Sequence, residues 1–309
     1  MSGDRAPRVR PSVHAKWRAH LSSGGRGGGY SAARGLMEFA LGHAYARDWP
    51  GRLWQRVPGS ERVAIVEHRF AMLPEAAGHR RLRLAFASDL HLGPTTSPAV
   101  LDTAFAQLAN LGADVLLLGG DYVFLEASAA RMHELHARVS ALEIPLKLAV
   151  LGNHDLWTTH LDIEASLARA GVDVLINRSV RLPAPFADVA VIGLDEPWTG
   201  SPDADLALIG SEDAGLRVGL CHSPDGAVYL AERGVSLLLC GHTHGGQIAL
   251  PGPRPVILPP GPYSQRFAWG LHRVGAMHVV VSRGVGTTEL PIRTYAPPDI
   301  VVVDLVPAR

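Results

Sequence analysis

ADVLLLGGD, residues 113–121, is the stretch that decides the fold. A continuous apolar run of this length suits a strand buried on both faces, and it stops at two glycines and a carboxylate. Outward in both directions the design recurs. RLRLAFASDLH (81–91), PLKLAVLGNHD (145–155), LRVGLCH (216–222) and VSLLLCGHTH (235–244) each run apolar and end in polar residues able to ligate. DVAVIGLD (188–195), RVAIVEHRFAML (62–73), MHVVVSRG (277–284) and DIVVVDLV (299–306) read as further strands. Between them, SPAVLDTAFAQLANLG (97–112), ASAARMHELHARVSAL (127–142) and THLDIEASLARAG (159–171) read as helices, with Ser97 and Pro98 as a start signal. Residues 251–272 hold six prolines and predict an ordered loop. Strands alternating with helices predict an α/β layered fold, with sites where the carboxyl ends of strands meet the following loops. No linker divides residues 62–309, which read as one domain.

The chain's 309 residues suffice for a large core, and 47% of them are hydrophobic. Lys plus Arg and Asp plus Glu both total 29, so no global field marks a nucleic-acid partner. Cys221 and Cys240 end apolar runs and lack the spacing of a redox or metal pair. No apolar run reaches the ~20 residues that span a bilayer, and no signal-peptide stretch follows the basic amino terminus. A cytoplasmic protein is expected.

Residues 1–29 are basic and then glycine-rich (SSGGRGGGY, 22–30), too polar to order alone. Over 30–49, Leu36, Met37, Phe39, Ala40, Leu41, Ala44 and Tyr45 recur at helical spacing. This amphipathic helix and its connector (30–61) either pack on the main domain, the favoured reading, or lie on anionic lipid with help from the basic tail. Peripheral membrane contact would then run through residues 30–54.

The polar ends of the strands supply carboxylates, one amide oxygen and imidazoles, a donor set that suits divalent Mn, Fe or Zn. In Asp89-x-His91 and His242-x-His244, residues two apart in extended chain point the same way and would face one ion. Taken singly, such a pair at a strand end is more often a turn or cap. Five of them in order, each after a strand, carry the inference.

SDLH (88–91), GGD (119–121), GNHD (152–155), the isolated His222 and GHTH (241–244) resemble the five signatures of the calcineurin-like metallophosphoesterases. The match covers about residues 83–306. It implies two mixed sheets packed face to face and flanked by helices. It also implies a pair of divalent ions, the first held by Asp89, His91 and His244, the second by Asn153, His222 and His242, with Asp121 bridging both. His154 would stand beside them as the catalytic imidazole, oriented by a hydrogen bond to Asp155. Such a pair clamps a phosphoryl group and makes a shared water acidic enough to attack phosphorus. One departure is visible: many members read GDxxD where this chain has GGDYVFL (119–125), so a trailing carboxylate is missing.

GHTHGGQI (241–248) and SRGVGTTELPIRTYAPPDIVVVDL (282–305) resemble a bacterial, often membrane-associated branch. Some of its relatives cleave the pyrophosphate of a UDP-diacylglucosamine in lipid A synthesis, so a lipid-linked phosphoester is one candidate substrate. Arg283 and Arg293 either grip substrate phosphate or brace the carboxy-terminal loops. His133 and His136 read as a solvated helix face. A scaffold that has lost catalysis would have lost ligands, and all of them are present; a nuclease would be expected to carry a basic stripe, which is missing.

Overall fold

The computed structural model describes residues 27–74 and 80–308. Apart from Gly27, Gly28 and Gly29, the basic tail expected over 1–29 lies outside them. Among the described residues the strands are β1 (Ala64–Leu73), β2 (Leu82–Ala87), β3 (Val115–Leu118), β4 (Leu146–Ala149), β5 (Asp173–Val174), β6 (Arg178–Arg181), β7 (Val189–Gly193), β8 (Leu216–Leu220), β9 (Leu237–Cys240), β10 (Ala249–Leu250), β11 (Arg254–Pro255), β12 (Gly270–Val274), β13 (Met277–Val281) and β14 (Asp299–Pro307). The helices are α1 (Ala32–Ala44), α2 (Trp49–Trp54), α3 (Pro98–Asn110), α4 (Ala129–Ser140), α5 (Asn153–Leu156), α6 (His160–Arg169), α7 (Ala204–Leu208) and α8 (Ala227–Leu230).

Two six-stranded mixed sheets form, in the orders β1-β14-β2-β3-β4-β5 and β12-β13-β9-β8-β7-β6. The alternation of side chains along each strand explains why they stack. Val115 and Leu117 of β3 join Leu84 and Phe86 in a core shared with Val191, Leu220 and Leu239 of the second sheet. Leu116 and Leu118, pointing the other way, pack with Leu101, Leu135 and Ile163 of the helices. On the far side, Ala190, Ile192 and Leu238 meet Ala207 and Leu230. Each fully buried Leu, Val or Phe contributes ~1.5–3 kcal/mol, so the strands must be apolar on both faces.

Strands β2 to β5 run parallel, as do β7, β8, β9 and β13. The loops after β2, β3 and β4 therefore leave one sheet at one end, and those after β8 and β9 leave the other in the same way. The proline-rich segment is less irregular than expected: Arg254–Pro255 pairs with Ala249–Leu250, and Gly270 already belongs to β12. Among the described residues before β1 lie the helices α1 and α2, with Arg47 and Asp48 in the left-handed region between them.

Candidate metal centre

Every strand that feeds the site ends before its ligand. β2 stops at Ala87, β3 at Leu118 and β9 at Cys240, and Asp89, His91, Asp121, His242 and His244 all have positive φ, between 44° and 72°. The expectation that alternate residues converge because the chain is extended is therefore corrected. These five residues lie in tight left-handed loops, a conformation costly for residues with a Cβ and held only where the surroundings enforce it. Close approach is part of that enforcement. A Cβ on Gly284, itself at φ 68°, would sit 2.6 Å from Asp89 Cβ, and one on Gly152 would overlap the Asp121 carboxylate.

The donor atoms converge. His91 Nε2 lies 3.1 Å from His244 Nε2 and 3.5 Å from Asp121 Oδ2, and His244 Nε2 lies 3.4 Å from Asp89 Oδ1. On the other side of Asp121, His222 Nε2 is 3.2 Å from the same Oδ2, 3.1 Å from Asn153 Oδ1 and 3.1 Å from His242 Nδ1. Two donors bound at ~2.1 Å and spread by ~90–110° are ~3.0–3.4 Å apart, so these spacings suit shared ions. Asp89, His91 and His244 form one buried group able to hold a metal and Asp121, His222 and His242 another. The residues fit the ions that their chemistry implies.

Electrostatics agree. Burial lowers His91 to about 4 and His242 to about 3, which leaves neutral imidazoles ready to ligate. Burial also pushes Asp89 up to about 6, with Asp121 adding to it. At His222 burial opposes protonation, but Asp121, Asp89 and Glu196 outweigh it and raise the group to about 10. Its Nδ1 lies 2.8 Å from the Gly119 carbonyl and donates to it, which turns Nε2 toward Asp121.

His154 stands at the edge of this group, its ring 4.8 Å from that of His91 and its backbone N–H donating to Asp121 Oδ1 at 2.8 Å. Asp155 does not orient the His154 ring as expected. Its carboxylate accepts from the amides of Asp121 at 2.7 Å, Tyr122 at 2.8 Å and Gly152 at 2.9 Å. In a one-turn helix such as α5 the third residue folds back on the cap, so Asp155 ties the GNHD loop to the GGD loop. Arg283 pairs with Asp299 at 2.7 Å, and Arg293 donates to the carbonyls of Gly286, His244 and Ala296. Those bonds brace the carboxy-terminal loops. His133 is exposed on α4, and Cys221 and Cys240 are free and buried.

Three residues at the mouth escaped the sequence reading. Trp157 and Trp198 meet edge to face at 5.6 Å, and Trp198 lies 6.2 Å from His242. Arg34 of α1 reaches within 3.3 Å of His154 Nε2. Trp157, two residues past GNHD, was findable from position alone. Arg34 was not, because nothing local shows what a helix will face.

Residues 82–246 match the family model described as calcineurin-like phosphoesterase. The metallophosphoesterase YkuE of Bacillus subtilis is 28% identical over 88% of this chain and 93% of its own. The phosphodiesterase YaeI of Escherichia coli is 29% identical over 78% of this chain and 88% of its own. Among solved structures, the 5'-nucleotidase precursor of Thermus thermophilus aligns with a TM-score of 0.43 and 18% identity, covering 74% of this chain and 54% of that one.

Proposed function

The chain belongs to the calcineurin-like phosphoesterase family, hydrolases of phosphoric esters, and from that premise we propose that it is a dinuclear metal-dependent phosphodiesterase. Asp89, His91 and His244 would hold one ion, Asn153, His222 and His242 the other, and Asp121 both. The observation that carries this is the placement of Asp121 Oδ2 between His91 Nε2, at 3.5 Å, and His222 Nε2, at 3.2 Å. Bound ions of the Mn, Fe or Zn class would supply a clamp for the phosphoryl oxygens and an acidified water. The protein does the rest. Its buried carboxylates and imidazoles exclude competing solvent, and Asp155 fixes the two loops against each other. His154, whose pKa burial holds well below the usual histidine range, is neutral. It would donate to a phosphoryl oxygen or to the leaving oxygen.

A diester is favoured over a pyrophosphate because the similar Escherichia coli protein is a phosphodiesterase. The place where substrate is met has separate support. No helix among the described residues is long and apolar enough to cross a membrane. Yet Leu36, Phe39 and Leu53 are 69%, 51% and 52% exposed on α1 and α2, so the apolar side of this segment faces outward. That face supports peripheral contact with lipid and a lipid-linked phosphoester as substrate.

The test is turnover by Mn-loaded protein of bis(p-nitrophenyl) phosphate, the p-nitrophenyl monoester and a UDP-diacylglucosamine, each with and without anionic vesicles. Cleavage of the diester that disappears with a chelator is expected. Absence of metal-dependent turnover on all three contradicts the reading, and cleavage of the soluble diester alone, indifferent to vesicles, removes its lipid part.

A further inference from the structure

Helix α1 packs with its charged side inward. Gly35 and Glu38 are its buried residues, while Leu36, Met37 and Phe39 are exposed. Tyr30, Arg34 and Glu38, four residues apart, share the inward face. The segment is fastened around the mouth of the metal centre. Gly28 N–H donates to Thr199 O at 2.9 Å, Trp157 Nε1 donates to Gly28 O at 3.0 Å, and Tyr45 Oη donates to Glu289 O at 2.8 Å.

This packing aims one guanidinium. Arg34 Nε donates to Glu38 Oε1 at 3.0 Å, and its central carbon lies 3.9 Å over the Trp157 ring. Nη2 is 3.3 Å from Nε2 and 3.5 Å from Nδ1 of His154, and 3.7 Å from Glu289 Oε1. Near-equal distances to both ring nitrogens mean that Nη2 makes no single aligned hydrogen bond to the ring. Nη1 has no acceptor among the described residues, and the side chain keeps 19% of its exposure. A cation pinned by a carboxylate and an aromatic face, and turned toward the His154 ring, holds donors in reserve. The fork of a guanidinium matches the oxygens of a phosphoryl group.

We propose that Arg34 is a substrate-binding residue. It would take an unesterified phosphoryl oxygen beside His154, so that residues 27–54 complete the active site. This rests on the phosphoesterase reading above. The competing role is a latch that only fastens α1 to the domain, and the two roles separate in phosphate binding.

The experiment is calorimetric titration of Mn-loaded wild type, Arg34→Lys and Arg34→Ala with inorganic phosphate. Metal content and melting temperature are measured on the same samples, and KM and kcat on the diester. Arg34→Ala is expected to weaken phosphate binding by about 10- to 100-fold, the loss typical of a hydrogen bond to a charged group. Metal content is expected to hold, and the Lys variant to recover part of the loss. KM is expected to rise more than kcat falls. Phosphate affinity within twofold of wild type in metal-replete Arg34→Ala overturns the proposal and leaves the latch. Should Arg34→Ala fold poorly, the Arg34→Lys variant decides: wild-type phosphate affinity there, without the fork, also overturns it. Wild type that takes up no metal sinks the underlying reading instead.

Discussion

Replacing Asp155 by alanine separates a loop tie from a catalytic partner. The side chain is fully buried and its two oxygens accept from three buried amides, those of Asp121, Tyr122 and Gly152. A buried donor left without a partner costs ~1–3 kcal/mol, so the three together come to roughly 3–9 kcal/mol. A water entering the vacated space would recover part of that, and about 4 kcal/mol is a working value. At a slope of ~3 kcal/mol per molar urea, the midpoint of the metal-free protein should fall by ~1.3 M. Asp155→Asn, which keeps one acceptor, should lose about half as much. Because the same amides position Asp121, metal affinity should fall in both variants. Urea titration followed by circular dichroism, with metal content by mass spectrometry, measures both effects. An unshifted midpoint and full metal content, with turnover as low as in His154→Ala, would show that Asp155 serves the His154 ring after all.

His154→Ala should cut turnover of the diester by ~100-fold or more and leave metal content unchanged, and normal turnover would remove His154 from the mechanism. Gly284→Ala should lose metal from the Asp89 side, because its Cβ would lie 2.6 Å from Asp89 Cβ at φ 68°; a full metal complement contradicts this. Metal uptake should release protons. His222 at about 10 is protonated at pH 7 in the metal-free protein, and Asp89 at about 6 joins it at lower pH. Both must be deprotonated to ligate, whereas His91 and His242, at about 4 and 3, are already neutral. Affinity should therefore rise ~10-fold per pH unit between 7 and 9 and fall more steeply below 6. Calorimetry in buffers of different ionisation heat reads the proton count, and zero release at pH 7 refutes the assignment.

The layers and the clustering of the candidate site residues were legible because both leave local marks. Alternation put Leu116 and Leu118 on one face of β3 and Val115 and Leu117 on the other, and each feeding strand ended in a motif. What escaped has long-range causes. β5 and β6 are short and at most half-buried, so no apolar run announced them. The left-handed turns at Asp89, His91, His242 and His244 arise from neighbouring loops, and extended spacing mispredicted them. Asp155 was matched to an orienting role, whereas its partners are the amides of two neighbouring loops. The helical period of 32–44 was readable, but the choice to bury Glu38 and expose Leu36 depends on distant parts of the chain that the helix packs against.

The most direct measurement is anomalous diffraction from crystals soaked in manganese. Two peaks are expected, both within ~2.3 Å of the Asp121 carboxylate, one also reaching Asp89, His91 and His244 and the other Asn153, His222 and His242. Density elsewhere, or none among these side chains at saturating metal, would contradict the two-ion centre.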